Sequence, residues 1–181
     1  PFHQIKMEDL LLRGVVSPEE ANQPDFNDRT DLADKLWNMY NIDDHDMFIL
    51  ISNPANNGVI VEFAKKIKEK GRKLIVVTSK AEAEASVSRH PSGKKLTDYA
   101  DLILDNCAPS PDMVVTLENG QKINQVSTVT GNVIAQMLCA ETYRYLTGLG
   151  HDCPVLLSAN VKGADVHNRE ISDVYLGRWN S

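Results

Sequence analysis

Asp46-Met-Phe-Ile-Leu-Ile-Ser52, the turn Asn53-Pro-Ala-Asn-Asn-Gly58, a stretch from Val59 to Lys70, then Gly71 and Lys73-Leu-Ile-Val-Val-Thr-Ser79 decide the fold. The first and last runs are short and continuously apolar, as strands buried on both faces require. Between them Val59, Ile60, Phe63, Ala64 and Ile67 recur at helical spacing. Lys65, Lys66, Lys68 and Lys70 gather toward the end of that helix, where they complement its dipole, and Gly71 supplies the stop. Strand, turn, helix, glycine, strand is a βαβ unit, and its right-handed crossover makes the strands parallel.

Working outward, a polar segment covers Lys80 to Lys95, and Ala100-Asp-Leu-Ile-Leu-Asp105 reads as a third strand. Met113–Leu117 and Gln121–Gln125 flank Asn119-Gly120, a strong hairpin signal. Ser127 is placed to cap a long helix ending near Gly148 or Gly150. Pro154–Ser158 reads as a last short strand and Asp165–Leu176 as a terminal helix. Toward the start, Ile5–Leu12 suits a short helix, and the stretch with Pro18 and Pro24 reads as loop. Thr30 or Asp28 can cap a helix running to about Tyr40. With no internal repeat and no dividing linker, the expectation is one domain over residues 1–181.

Composition narrows the function. The chain has 181 residues, 42% of them hydrophobic, and a formal net charge of -6. That acidity is a poor basis for neutralising nucleic-acid phosphates, so no nucleic-acid partner is expected. No apolar run approaches the ~18 residues of a membrane span, and no basic segment leads into a signal peptide. Cys107, Cys139 and Cys153 form a sparse, odd set without CxxC spacing, which predicts reduced thiols and a cytoplasmic protein. No His/Asp/Glu cluster has a recognised ligand spacing, so no metal is expected.

In an open parallel sheet, ligands bind beyond the carboxyl ends of the strands. Three such ends carry small polar groups: Ser52-Asn53 with Asn56-Asn57, Thr78-Ser79, and Asp105-Asn106. The turn after Ser52 feeds a helix N-terminus, where free N–H groups and the dipole attract an anion. Ser127-Thr128 opens a second helix in the same way. Each pair is also an ordinary cap or turn by itself; together they favour a small molecule bearing phosphate. Neither GxGxxG nor a Walker A sequence is present, so no dinucleotide or other cofactor is expected.

The block 46–79, with Ser88-Arg-His-Pro-Ser-Gly-Lys-Lys-Leu96, Asp101–Asn106, Ser127-Thr-Val-Thr-Gly131 and Ser158–Asn168, resembles the SIS (sugar isomerase) domain family. Within that family it resembles a little-characterised bacterial branch of phosphosugar isomerases and phosphosugar-binding proteins, and the resemblance covers nearly the whole chain. The resemblance implies an α/β, Rossmann-like fold: a three-layer αβα sandwich around a mainly parallel five-stranded sheet, with the hairpin near residues 113–125 added. It implies a phosphorylated sugar as ligand and a homodimer or homotetramer as assembly. By position, Ser52, Asn53 and Asn57 match the phosphate-binding turn, Thr78 and Ser79 the next strand end, and Ser127 and Thr128 a polar helix start near the ligand. Two departures stand out. Pro54 and Ala55 replace the second Ser and the Gly of the family's Ser-x-Ser-Gly turn, and proline removes a hydroxyl and an N–H. The family's opening helix, first strand and Gly-rich turn are expected before Pro1, so the chain is read as an N-terminally incomplete SIS domain.

Aldose–ketose isomerisation passes a proton through an enediol, and Glu or His tuned toward neutral pH are its usual agents. His167 lies in the polar turn Gly163–Asn168, His90 precedes Pro91, and Glu141 sits mid-helix. Each has a structural alternative: His167 could hold Asp165 or a carbonyl, His90 could fix a loop, and Glu141 could make a structural hydrogen bond. The expected function is a phosphosugar isomerase-like enzyme; the alternative is a non-catalytic phosphosugar-sensing module.

Overall fold

The structure is a computed structural model and describes residues 2–179. Three short helices open the chain: α1 (Glu8–Leu12), α2 (Pro18–Ala21) and α3 (Asp31–Asn38). The stretch expected as loop therefore contains a helix. Ser17 accepts from the Glu20 N–H at 3.2 Å while the Glu20 carboxylate accepts from the Ser17 N–H at 3.0 Å, with Pro18 in the first turn. This is a capping box, and its Ser-Pro-Glu-Glu signature was present in the sequence.

Next come β1 (Phe48–Ile51), α4 (Gly58–Glu69) and β2 (Leu74–Thr78). β1 and β2 run parallel, with Phe48 opposite Leu74 and Ile51 opposite Val77. α5 (Lys80–Ala85) follows immediately, inside the segment expected to be merely polar. Its cap is Ser79, whose hydroxyl accepts from the Glu82 N–H at 3.1 Å. β3 (Leu102–Asp105) then adds in parallel to β2, giving the order β1-β2-β3.

Alternation assigns the two faces of this sheet. Phe48, Leu74 and Val76 face α3 and α4 and belong to the main core with Leu32, Leu36, Phe63, Ala64 and Ile67. The Trp37 and Phe48 rings stack at 5.5 Å, and Phe63 meets Phe48 edge-on at 6.0 Å. Fully buried side chains such as Ile67 and Leu74 each contribute about 1.5–3 kcal/mol of transfer free energy. On the opposite face, Gly131 of α6 (Val126–Gly148) lies beside Ile51.

The sheet departs from the five-stranded expectation. Among the described residues, the parallel sheet has three strands, and β4 (Met113–Thr116) and β5 (Lys122–Gln125) form a separate antiparallel pair. They are the expected hairpin. α6 (Val126–Gly148) follows directly, with Gln125 at its cap position. Ser127 is inside the first turn rather than capping it. Its N–H donates to Asp112 Oδ1 at 2.9 Å, and its hydroxyl donates to the other Asp112 oxygen. Pro154–Ser158 forms no strand. Pro154 lacks an N–H, and Leu157 instead exchanges two hydrogen bonds with the Asn168 side chain, at 2.8 and 2.9 Å. α7 (Ala164–Trp179) closes the chain.

Burial is uneven. Among the described residues after Asp112, only Gly131 and Ala164 are buried. No helix among them is long and apolar enough to cross a membrane.

Candidate functional site

The carboxyl ends of β1, β2 and β3 converge on one side chain, Asn53. Its Oδ1 accepts from the Ser79 N–H at 2.6 Å, the Asn106 amide at 3.1 Å and the Thr78 hydroxyl at 3.4 Å. Three strand ends are thus tied to one carbonyl oxygen. Thr78 and Ser79 are fully buried, and the Ser79 hydroxyl donates to the Ala108 carbonyl at 2.6 Å. Asn106 Oδ1 in turn accepts from the Ala108 N–H.

The turn that follows is held by a second segment. Ala55 is fully buried with φ +66°, a left-handed conformation that suits the glycine it replaces. The strap 86–96 maintains it: Leu96 N–H donates to Ala55 O at 2.9 Å, Arg89 N–H to Asn56 O at 2.9 Å, and the Asn56 amide to Val87 O at 2.8 Å. Two buried amide atoms here have no hydrogen-bond partner: Asn53 Nδ2 and Asn56 Oδ1. Such orphans each cost about 1–3 kcal/mol.

Asn57 stands at the cap position of α4, but its side chain makes no capping bond. The helix end is taken by Asp28, from a turn 30 residues upstream. Asp28 Oδ1 accepts from the Gly58 N–H at 3.3 Å and pairs with Arg89 Nε at 3.2 Å. The anion-attracting N-terminus read from the sequence therefore already holds a carboxylate of the protein.

His90 is buried and is bonded on both ring nitrogens, to Glu62 Oε2 at 2.6 Å and to the Ser92 hydroxyl at 2.7 Å. Glu62 is half-buried and also accepts from Lys65 Nζ at 2.8 Å. Partial burial pushes its carboxyl upward, but the hydrogen bonds from Lys65 and His90, with the Lys65 charge, outweigh this and hold it below the usual value. A carboxyl lowered on folding stabilises the fold above its unfolded value, and that contribution is lost as pH falls through the folded value. Glu62→Gln should therefore remove part of the acid dependence of stability below about pH 4.5. Denaturant unfolding of both proteins between pH 3 and 7 tests this: curves that stay parallel throughout would contradict it.

The other candidates lie on the C-terminal helices. Glu141 is exposed, pairs with Arg144 at 2.5 Å and lines an open cleft of about 360 Å³ with Tyr145 and Leu149. His167 is exposed, and its Nε2 meets the Val155 carbonyl at 2.9 Å. A carbonyl only accepts, so Nε2 donates in this bond, and Nδ1 is the ring nitrogen left outside it. Thr128 is exposed on α6. Neither Glu141 nor His167 is hydrogen-bonded to the Asn53 cluster.

A parallel α/β sheet with polar side chains gathered at its carboxyl edge is consistent with the SIS fold. A family model described as the SIS domain matches residues 1–79. The chain is 35% identical over 176 residues to a UPF0309 protein of Halalkalibacterium halodurans, covering 93% of this chain and 72% of the relative. It is 34% identical to one of Caldanaerobacter subterraneus subsp. tengcongensis (93% and 70%) and 33% identical to one of Listeria innocua (96% and 69%). The chain belongs to this UPF0309 family of bacterial SIS-domain proteins.

Proposed function

We propose that the carboxyl edge of β1–β3 binds a phosphorylated sugar, and that the protein is an aldose–ketose isomerase-like enzyme acting by enediol proton transfer. The observation that carries the reading is the pair of orphaned buried amide atoms, Asn53 Nδ2 and Asn56 Oδ1. One can donate to a phosphate or sugar oxygen, and the other can accept from a sugar hydroxyl. Ser52, Asn53 and Asn57 form the phosphate turn; Thr78 and Ser79 set the orientation of Asn53; Ser127 and Thr128, at the α6 start, are the remaining candidates. A sugar phosphate is expected to raise the melting temperature by a few degrees, and the free sugar much less. A flat thermal-shift panel across hexose, heptose and amino-sugar phosphates would remove the binding reading.

An arriving phosphate competes with the Asp28 carboxylate at the α4 N-terminus. Asp28→Asn keeps an acceptor for Gly58 but removes the repelling charge. It should tighten sugar-phosphate binding roughly tenfold at low salt; calorimetric titration showing unchanged or weaker binding would refute the competition.

His167 is the group we assign to proton transfer, because its ring is exposed and its Nδ1 lies outside the carbonyl bond. His167→Ala should lower turnover by about 10²–10⁴-fold while the ligand-induced thermal shift persists. Unchanged turnover removes His167 from the role. Glu141 and His90 are the other proton-transfer candidates; the first is paired with Arg144 and the second is hydrogen-bonded to Glu62. The second reading is a binding module without turnover. It is favoured by how fully Asn53, Thr78, Ser79 and Asn106 are spent on one another, and ligand binding without isomerisation would select it.

Self-association as a dimer or tetramer belongs to this proposal. Val129, Val133 and Met137, four residues apart along α6, are exposed apolar side chains on one line of the helix. Light scattering that finds only monomer at micromolar concentration would exclude it.

A further inference from the structure

The segment 88–94 builds an arrangement that sugar-phosphate binding does not use. His90 is buried, whereas Pro91, Ser92 and Gly93 beside it are exposed. The ring's proton can be placed. The Ser92 backbone N–H donates to His90 Nδ1 at 3.1 Å, so Nδ1 carries no proton. The neutral ring then bears its proton on Nε2, facing Glu62 Oε2 at 2.6 Å. With Nδ1 bare, the Ser92 hydroxyl at 2.7 Å is the donor to it. The Lys94 N–H points at the same hydroxyl oxygen, at 3.2 Å. Glu62 is fixed by Lys65 on its other oxygen.

Carboxylate, imidazole and hydroxyl thus stand in one hydrogen-bonded line, with the hydroxyl at the surface and the base behind it. A hydroxyl is a weak nucleophile until a base within hydrogen-bond reach accepts its proton, and a carboxylate behind the ring stabilises the imidazolium that forms. We propose that Ser92 is an activated nucleophile toward small acyl esters, with His90 as its base and Glu62 as the positioning carboxylate. In the step proposed, Ser92 Oγ bonds to the ester carbonyl carbon as its proton passes to His90 Nδ1. The carbon–alkoxide bond then breaks, and the leaving alkoxide takes that proton, leaving Ser92 acylated and His90 neutral. Water repeats the sequence and releases the acid. Glu62 keeps its charge throughout and pairs with the Nε2 proton. The proposal does not depend on where a sugar phosphate binds.

An alkyl fluorophosphonate tests it directly. Ser92 Oγ displaces fluoride from phosphorus, and the serine proton leaves by way of His90. Intact mass spectrometry and peptide mapping should find one adduct, on Ser92, in the native chain. Ser92→Ala should abolish it, and Glu62→Gln should slow it on the order of 100-fold. Circular dichroism verifies that each variant is folded. The urea-unfolded wild-type chain supplies a comparison that needs no variant. Absence of a Ser92 adduct, labelling as fast in the unfolded chain, or an unchanged rate in folded Glu62→Gln would each overturn the proposal.

Discussion

Gly58→Ala is expected to destabilise the fold by more than about 3 kcal/mol. Alanine is ordinarily the better helix residue by about 1 kcal/mol, so the sign runs against propensity. The cause is a backbone approach. A Cβ at Gly58 would lie 2.2 Å from the Asp28 carbonyl oxygen, 2.7 Å from its carbon and 2.8 Å from its Cα. No side chain can swing aside, because all three atoms are main chain. Asp28 is also held from two directions, by its N–H on Asp25 O and by Arg89 on its carboxylate. The α4 N-terminus would have to part from the 26–28 turn. Gly148, at the end of α6, is the control: nothing lies within 4 Å of its Cβ position, so Gly148→Ala should be neutral or gain up to about 1 kcal/mol. Urea unfolding of both variants checks the pair. A Gly58→Ala chain as stable as wild type would mean that the turn packs differently.

Asn53→Ala should cost about 2–4 kcal/mol, far more than a turn substitution at the surface. The variant removes the acceptor for the Ser79 N–H and the Asn106 amide and leaves both donors beside buried backbone. It would also loosen the ends of three strands at once. Asn53→Asp separates this structural duty from ligand binding. It keeps an acceptor oxygen for Ser79 and Asn106 but discards the orphan donor Nδ2 and adds a negative charge. Its stability should recover much of the alanine loss, while the thermal response to sugar phosphate disappears. Recovery of the ligand response in Asn53→Asp would move the phosphate away from this turn.

Much of the parallel core was legible because its signals are local. β1, α4, Gly71 and β2 declare themselves by run length, helical spacing and a stop, all within 34 residues of sequence. The hairpin was equally plain from Asn119-Gly120. The features that escaped are those set by residues far apart in the chain. Glu62 and His90 meet across 28 positions, and Asp28 reaches Gly58 across 30. Nothing around Glu62 announces its partner, since a glutamate three residues before a lysine is also an ordinary surface pair. The Pro154–Ser158 misreading has a different origin. Its apolar composition suits a strand, but a strand also needs a neighbour to pair with. At the candidate site, the positions of the polar residues were foreseeable from the ends of the strands. Their mutual hydrogen bonding, which turns Thr78 and Ser79 inward and leaves two atoms of the asparagines unmatched, was not.

The sequential order β1-β2-β3 also bears on how the chain comes off the ribosome. β2 pairs with β1 and β3 with β2, so among the described strands neither has to wait for a later one. The intervening helices are short, which keeps the cost of closing each loop small. Once Asn106 has emerged, Asn53 can close over all three strand ends, and the N-terminal part can consolidate before α6 is made. A stalled nascent chain ending shortly after residue 112, with enough tether to clear the exit tunnel, should already resist protease across residues 48–106.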